Sequence, residues 1–553
     1  MRLVPLFALI LISVVGHSGL CAQEALLSVE ERYYEFLALD GYAERPYLNY
    51  RTLSDSEWDV TDGSGAIWDG QKLDRTLTIN DRVNYRIYDP DLFVSFNSKA
   101  PYGQNDGLLW QGKGLNSSLT AGARLEAYGL ELTLKPQLAF SQNLAFDLVA
   151  SAYSGSGYED KADTYGYYGV KSIDAPQRFG DEAFFDYSWG DSEIRYTWKA
   201  VTLGFGTQSI WLGPSRVNSI LHSNNGVPYP KADIGIRRTN LTFKGWDLGD
   251  FEARLWAGRL TESDYFDNDS SNDHNLISGL SLGYSPPFIS GLTLFGNRVF
   301  LSKWESDSAM SILNLFYNTS SNGADDEWDQ RASFGFSYLI DKVGFELYGE
   351  AGINDFVVGD LGYLRYPFHS IVYMAGFSKT VNLKDRSWRG EFVFEFSYME
   401  LSQDFQFQWA STYYAHHQIT QGYTSGGQWI GAGIGTGGNS QYLGFNLYYP
   451  VGKSTLYLYR VNPDNDYLYA KTIHTEDSDE QTELGTDYDF YRFKSSFAIG
   501  FESTYFVSDS FRLSGSLVYN LIINPQYEFN EDSPRNSELA HNVHASISIS
   551  YSL

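Results

Sequence analysis

The last eleven residues, 543–553, alternate strictly between apolar or large and small polar side chains. In an extended chain Val543, Ala545, Ile547, Ile549, Tyr551 and Leu553 share one face, and His544, Ser546, Ser548, Ser550 and Ser552 share the other. One face must meet an apolar phase and the other a wet one. At the end of an aromatic-rich chain this is the closing strand of a transmembrane barrel, with lipid outside and polar groups inside. Tyr551 stands two residues before the end, as in barrel assembly signals, so the barrel assembly machinery is an expected partner during biogenesis. Leu553 occupies the place where Phe or Trp is usual.

The same period recurs upstream. Phe251, Ala253, Leu255 and Ala257 oppose Glu252, Arg254 and Trp256, and Phe392, Phe394, Phe396 and Tyr398 oppose Glu391, Val393, Glu395 and Ser397. Similar faces occur at Ala332-Phe334-Phe336-Tyr338, Phe497-Ile499-Phe501 and Phe511-Leu513-Gly515-Leu517-Tyr519. A charge such as Arg254 or Glu395 fits such a strand only if its face is hydrated, so the interior should be polar.

Short turns are expected at Tyr128-Gly129, Lys199-Ala200, Trp246–Asp250, Pro286–Gly291, Asp341–Val343, Asn382–Ser387, Pro450–Lys453 and Val507–Ser510. Between them lie long polar segments: 99–117, 142–191, 211–232, 261–275, 302–330, 353–369, 402–440, 462–489 and 524–540. Short and long alternate, as in an outer-membrane barrel with tight periplasmic turns and long outer loops. A Tyr-rich soluble sandwich or propeller is the competing class, and it leaves that rhythm unexplained.

The fold class expected is all-β: a transmembrane antiparallel β-barrel of about 18 strands with a small N-terminal helical periplasmic plug. The count starts at Leu92–Asn97 and requires both chain ends on one side. The alternating piece Leu77–Ile87 would make a nineteenth strand and is placed outside the wall or inside the lumen.

Composition narrows the partners. The 553 residues include 42 Tyr, 36 Phe and 13 Trp, yet the mean hydropathy is only −0.32. A sheet with one lipid face, one wet face and rings at the two interfaces reconciles these values. The formal net charge of −28 argues against nucleic acid, and makes capture of a strongly anionic polymer harder unless a divalent cation bridges the two. The single cysteine, Cys21, lies in the export signal, so a Cys/His metal site is excluded.

That signal runs from Met1-Arg2 through the apolar stretch Leu3–Val15 to Ala22, with cleavage expected near Ala22. Lipidation of Cys21 is the alternative, weakened by Leu20 directly before it. No later stretch approaches the roughly 20 apolar residues of a membrane helix, so passage must be by barrel. The chain divides into a signal peptide (1–22), a helical periplasmic plug (23–75) and the barrel (76–553). In the plug, Ser28 and Glu31 form a capping-box pattern, Val29, Tyr33, Phe36 and Leu37 recur at helical spacing, and Gly41 stops the helix.

Four groups of motifs carry a resemblance: Tyr34-Glu35-Phe36-Leu37 with Asp40-Gly41 and 49–54; Trp211-Leu212-Gly213-Pro214 with 220–225 and Pro228-Tyr229-Pro230; Trp328-Asp329-Gln330-Arg331 with 347–350; and 416–424 with 431–442. Together, in this order and spread over most of the mature chain, they resemble the Wzi-type capsule assembly family of outer-membrane proteins. Leu212 and Arg216-Val217-Asn218 depart from that family's commonest pattern. The resemblance implies an eighteen-stranded barrel with a periplasmic helical plug. It also implies a lectin-like role in tethering capsular or exopolysaccharide.

Two loops offer candidate contacts. In 402–440, Tyr413, Tyr414, His416, His417, Gln418, Gln421, Tyr423, Gln428 and Trp429 combine flat rings with neutral donors and acceptors. A sugar needs that combination, since its CH face stacks on a ring and its hydroxyls bond to amides and imidazoles. The same residues also serve as girdle rings and backbone caps in barrels generally. Gly431, Gly433, Gly435, Gly437 and Gly438 point to tight backbone packing, as no basic residue accompanies them. In 211–232, Trp211, His222, Ser223, Asn224 and Asn225 sit on a segment stiffened by Pro214, Pro228 and Pro230, which reads as a lumen plug or as a ligand contact.

The polysaccharide-binding candidates are therefore Trp211, Asn224, Asn225, His416, His417, Gln421, Tyr423 and Trp429. No catalytic residue, cofactor or metal is expected. His222 beside Ser223 is not a catalytic pair by adjacency alone. The acidic run Glu476-Asp477-Ser478-Asp479-Glu480, with Asp487 and Asp489, lacks calcium-loop spacing and reads as a solvated loop. Expected partners are outer-membrane lipid and surface polysaccharide, with the loops extracellular. The competing class is a porin-like or sugar-selective channel, and a hydrolase is a third class without a supporting constellation.

Overall fold

The computed structural model describes residues 22–23, 28–55, 57–60, 67–68, 76–80, 82–151, 164–170, 172–305, 311–317, 328–354, 371–385, 387–400, 413–468, 493–528 and 537–551. Eighteen antiparallel strands close into a barrel. The first six are β1 (Val83–Asn97), β2 (Gly114–Ala127), β3 (Leu130–Leu134 with Gln137–Ser141), β4 (Phe184–Ser188 with Glu193–Trp198), β5 (Val201–Gly206) and β6 (Lys231–Phe243). Next come β7 (Trp246–Thr261), β8 (His274–Ser285), β9 (Leu292–Lys303), β10 (Trp328–Ile340), β11 (Phe345–Asn354) and β12 (Ile371–Asn382). The last six are β13 (Arg389–Tyr398), β14 (Asn439–Tyr449), β15 (Gly452–Asn462), β16 (Ser495–Ser508), β17 (Phe511–Ile523) and β18 (Leu539–Tyr551). The closing strand expected from sequence does close the sheet: β18 pairs with β1 from His544↔Asn97 to Ser550↔Asp91.

Alternation decides which residues face in. On β7, Glu252, Arg254 and Trp256 are buried while Phe251, Ala253 and Leu255 lie on the outer side. On β18, Asn542 and His544 are buried and Val543, Ile547, Ile549 and Tyr551 are exposed. Around the short-turn end the outer wall carries exposed Tyr128, Trp198, Phe243, Trp246 and Phe288, an aromatic belt of the kind that sits at a membrane interface.

Three details differ from the sequence reading or refine it. The turn expected at Trp246–Asp250 lies earlier, at Lys244-Gly245. Both residues have positive φ (50° and 83°), the geometry of a two-residue hairpin turn, and Trp246 already begins β7. The piece Leu77–Ile87 is divided: Val83 starts β1, nine residues before Leu92, and Leu77–Asn80 folds back on it as a short hairpin. A register shift between Tyr88 and Asp91 straddles Pro90, which cannot donate to the ladder, and this interruption hid the continuity of β1. Strands β3 and β4 are likewise each broken once, at Lys135-Pro136 and at 189–192.

Candidate functional site

Among the described residues the barrel interior is occupied mainly by three parts of the chain: the N-terminal residues 28–55, 57–60 and 67–68, the segment 207–230 between β5 and β6, and the segment 413–437 between β13 and β14, with Ile173 and Ala175 packed against the last two. The first begins with helix α1 (Val29–Leu39), whose N-cap Ser28 accepts a hydrogen bond from the Glu31 amide at 3.0 Å. Its aromatic face docks on the inner wall. Phe36 stacks on Tyr448 of β14 at 4.5 Å between ring centroids, Tyr33 stacks on Trp68 at 4.0 Å, and Trp68 meets Phe506 of β16 edge-on at 4.8 Å. Each such pair contributes roughly 0.5–1.5 kcal/mol beyond its buried area.

The polar side of this segment is locked by charge. Glu35 and Glu346 of β11 lie between Arg45 and Arg216, with N···O distances of 2.5–2.9 Å. Glu395 of β13 accepts the backbone N–H groups of Arg216 (2.6 Å) and Asn218 (2.8 Å). Glu252 of β7 accepts those of Leu48 (2.5 Å) and Tyr50 (2.7 Å). The inner-wall carboxylates are thus receptors for the plug. Burial alone would raise the Glu35 carboxyl, but the Arg216, Arg45 and Arg51 guanidiniums together outweigh it and hold it below its usual range, whereas burial and the Glu35 charge push Glu31 up to about 7.

Segments 207–230 and 413–437 pack on this base. Trp211-Leu212 pairs as an antiparallel strand with Tyr50-Arg51, and the Arg51 guanidinium lies 5.2 Å from the Trp211 ring centroid. Tyr414 stacks on Tyr423 at 5.4 Å, donates to the Ile220 carbonyl at 2.5 Å and accepts the Ala432 amide at 2.9 Å. Gly431 makes this possible: a Cβ there would lie 2.4 Å from the Ile220 oxygen.

His222 is enclosed. Its Nδ1 faces the carbonyls of Ile210 (3.0 Å) and Ser223 (2.9 Å), so Nδ1 donates and Nε2 accepts from the Tyr229 hydroxyl at 2.7 Å. Burial, reinforced by the Lys231 charge, holds the imidazole neutral with its pKa lowered to about 3. The Ser223 hydroxyl donates to the Gly431 carbonyl at 2.7 Å. These bonds give His222 and Ser223 structural roles.

The eight sugar-contact candidates fall in different places. Trp211, Gln421 and Tyr423 are fully buried. Gln421 is bonded to Asn275 (2.6 Å) and the Thr424 carbonyl (3.0 Å), and Tyr423 lies under the Arg331 guanidinium. Asn225 donates to the Trp429 carbonyl at 3.0 Å and accepts the Asn105 amide at 2.9 Å. Asn224 and Trp429 are half-buried. His416 caps the turn after it, its Nδ1 accepting the Gln418 and Ile419 amides, and exposed His417 packs against it. The structure therefore gathers Asn224, Asn225 and Trp429 beside Asn105, with His417 presented separately to solvent.

That cluster borders something the sequence reading missed. A cavity of about 1200 Å³ lies between α1, the loop 99–106 and the inner walls of β13–β18 and β1. Tyr102, Tyr442, Tyr457 and Tyr459 line it, and at the long-loop end it reaches exposed Lys99, Gly103 and Glu538. Burial pushes Asp106 at its rim up to about 7. The signal was present as Lys453, Thr455, Tyr457 and Tyr459 at period two, but which face of β15 points inward depends on the register of the closed sheet.

Among the described residues no group of three or more His, Cys, Asp or Glu side chains could hold a metal ion, and no helix is long and apolar enough to cross a membrane. The acidic run 476–489 lies outside the described residues.

Fold and interior together define an outer-membrane β-barrel whose lumen is partly occupied by its own chain. Residues 186–508 match the family model described as capsule assembly protein Wzi, more than half of the chain, and the protein belongs to the Wzi capsule assembly family. Among solved structures it is similar to Wzi of Escherichia coli, described as an outer-membrane protein involved in group 1 capsule assembly and a carbohydrate-binding β-barrel. The TM-score is 0.54 at 14% identity, covering 84% of this chain and 85% of that one. OprB of Pseudomonas putida aligns with a TM-score of 0.36 at 10% identity, over 84% of this chain and 94% of that one. A comparison with curated proteins finds no match.

Proposed function

We propose that this protein binds surface polysaccharide and helps assemble or anchor a capsule or exopolysaccharide, as a binding protein without catalytic activity. Its helical plug faces the periplasm and its long loops face outward. The observation that carries this reading is the plug fixed in one half of the lumen. Two carboxylates and two guanidiniums (Glu35, Glu346, Arg45 and Arg216) fix the N-terminal segment to the segment 207–230 and to the wall, which is costly to build into a free diffusion pore. Family membership supports the same direction, as does the carbohydrate binding described for the Escherichia coli protein.

The binding face is the long-loop end, where Trp429 and His417 offer a ring and an imidazole at half-buried and exposed positions. Trp429→Ala and His417→Ala are expected to weaken polysaccharide retention on cells while barrel insertion stays normal; unchanged retention in both removes this loop from the site. The channel reading is tested by conductance in planar bilayers, where large steady open-pore currents from the purified protein would overturn the binding role.

A further inference from the structure

The interior beside β14–β18 is built differently from the rest of the lumen. Many inward positions on β16–β18 are small (Ala498, Gly500, Ser514, Ser516, Ser546 and Ser548), interspersed with Glu502, Arg512, Asn520 and His544. Their hydroxyls bond to each other or to the wall, as in Ser516–Ser546 at 2.6 Å and Ser548–Asp91 at 2.8 Å. Facing them, β15 presents Lys453, Thr455, Tyr457 and Tyr459 along one edge. Tyr442 stacks on Tyr457 at 5.6 Å and meets Tyr459 edge-on at 5.9 Å, and the Tyr102 and Tyr457 hydroxyls are 3.2 Å apart. From Lys453 to Val461 this edge extends about 27 Å at strand rise. Small hydroxyls on one wall and a ledge of phenol rings on the other suit a pyranose, which offers a CH face and a rim of hydroxyls.

Charge narrows the class. Lys453 is 5% exposed and lines the cavity; Glu391 and Glu502 on the same cavity wall act on it electrostatically, but among the described residues no carboxylate comes within ion-pair distance, and its Nζ lies 5.5 Å from the Tyr448 ring centroid. Lys494, on the same cavity wall near its loop end, also forms no ion pair among the described residues, and its Nζ lies 5.7 Å from the Tyr527 ring centroid. Leaving a buried ammonium without a carboxylate is costly in a chain with 68 acidic residues from which to choose a partner. At the rim, the buried Asn105 and Asn224 side-chain oxygens have no hydrogen-bond partner, so acceptors for sugar hydroxyls stand at the entrance.

We propose that this cavity is a slot for the end of a carboxylate-bearing glycan, its rings lying along Tyr102, Tyr442, Tyr457 and Tyr459 and its acidic groups paired with Lys453 and Lys494. This rests on the polysaccharide-binding reading above and names the ligand class and an inner site for it. The slot places a chain end inside the barrel wall, where the outer loops alone would hold only its side.

The test uses the full-length protein in detergent, with a galacturonic acid tetramer and the neutral maltotetraose as probes and calorimetry as readout. The acidic tetramer is expected to bind at least tenfold more tightly than the neutral one. Lys453→Gln is expected to remove most of that preference, and Ser516→Trp, which fills the slot, to abolish binding. Heat-modifiable migration on gels confirms that each variant is a folded barrel. Because Ser516→Trp is a large change, Tyr457→Ala serves as a second probe, with an expected loss of tenfold or more. Full affinity in both Ser516→Trp and Tyr457→Ala, or equal binding of the acidic and neutral tetramers, overturns the slot. If those variants bind normally while Trp429→Ala does not, the slot is wrong and the loop site stands. If no glycan binds the wild-type protein, both readings fall.

Discussion

The lumen has two halves made by one rule. Along β7–β13 the inward positions carry Glu252, Arg254, Trp256, Arg331, Tyr348 and Glu395, all buried and most of them in contact with the plug segments. Along β16–β18 many inward positions are Ser, Ala or Gly, interspersed with Glu502, Arg512, Asn520 and His544, and a 1200 Å³ cavity remains. Both halves alternate at period two and both face away from lipid. The size and charge of the inward side chain decide whether a segment of chain or an open slot stands against the wall. A polar inner face is thus compatible with dry packing, provided that each buried charge finds a partner.

The largest expected contrast is electrostatic. Glu346→Ala leaves Arg45 and Arg216 without one of their two carboxylates, and breaking a buried pair of this kind costs about 3–5 kcal/mol. The variant should unfold at lower urea concentration and acquire open-pore current in planar bilayers. On the cavity side, the Arg32–Glu502 pair spans 3.9 Å with both side chains about two-fifths exposed, and such pairs contribute roughly 0–1 kcal/mol. Glu502→Ala should therefore leave unfolding and conductance nearly unchanged. Equal effects in the two variants would dissolve the distinction between the halves.

Packing gives the next contrast. Trp256→Ala empties a fully buried site against His222 and should cost about 3–5 kcal/mol in the same unfolding assay. Tyr442→Ala removes a half-buried ring beside existing free space and should cost clearly less.

Backbone clearance gives the smallest. Gly431→Ala forces a Cβ against the Tyr414 hydroxyl and the Ile220 carbonyl and should destabilise by about 1–3 kcal/mol. At Gly515 the added methyl meets only the Ser546 oxygen at 3.3 Å, so Gly515→Ala should stay within about 0.5 kcal/mol. Gly515 shares the outer face with Leu513 and Leu517, so this variant is the reference for a methyl added outside the packed lumen, and a large loss there would show that the Gly431 effect is not a matter of lumen packing.

Much of the wall was legible because period-two alternation in a strand between lipid and a polar interior leaves little choice. Phe251 and Glu252, or Phe394 and Glu395, assign their own faces. Helix α1 was legible for a similar local reason, its Ser28 cap and apolar spacing being short-range signals. The binding candidates were harder. Trp211, Gln421 and Tyr423 have the composition of a sugar site, yet they are buried against Arg51, Asn275 and Arg331, which lie 90 or more residues away in sequence. Conversely, Tyr102 and Tyr457 drew no notice, although their hydroxyls meet across 355 residues.

The sequence by itself determined the barrel, its strand count, the N-terminal helix and the polar character of the interior. Each follows from interactions between neighbours in the chain and one phase boundary. Only the tertiary structure decided which half of the lumen is filled, which aromatic residues are plug and which are cavity wall, and where two lysines stand outside ion-pair distance of any described carboxylate. Those depend on the register with which eighteen strands close and on pairings such as Trp211↔Arg51, Arg45–Glu346 and Asn225–Trp429. The closing strand shows both sides of this. Its alternation told that Ser546 and Ser548 face inward, and closure against β1 showed that they face an open slot.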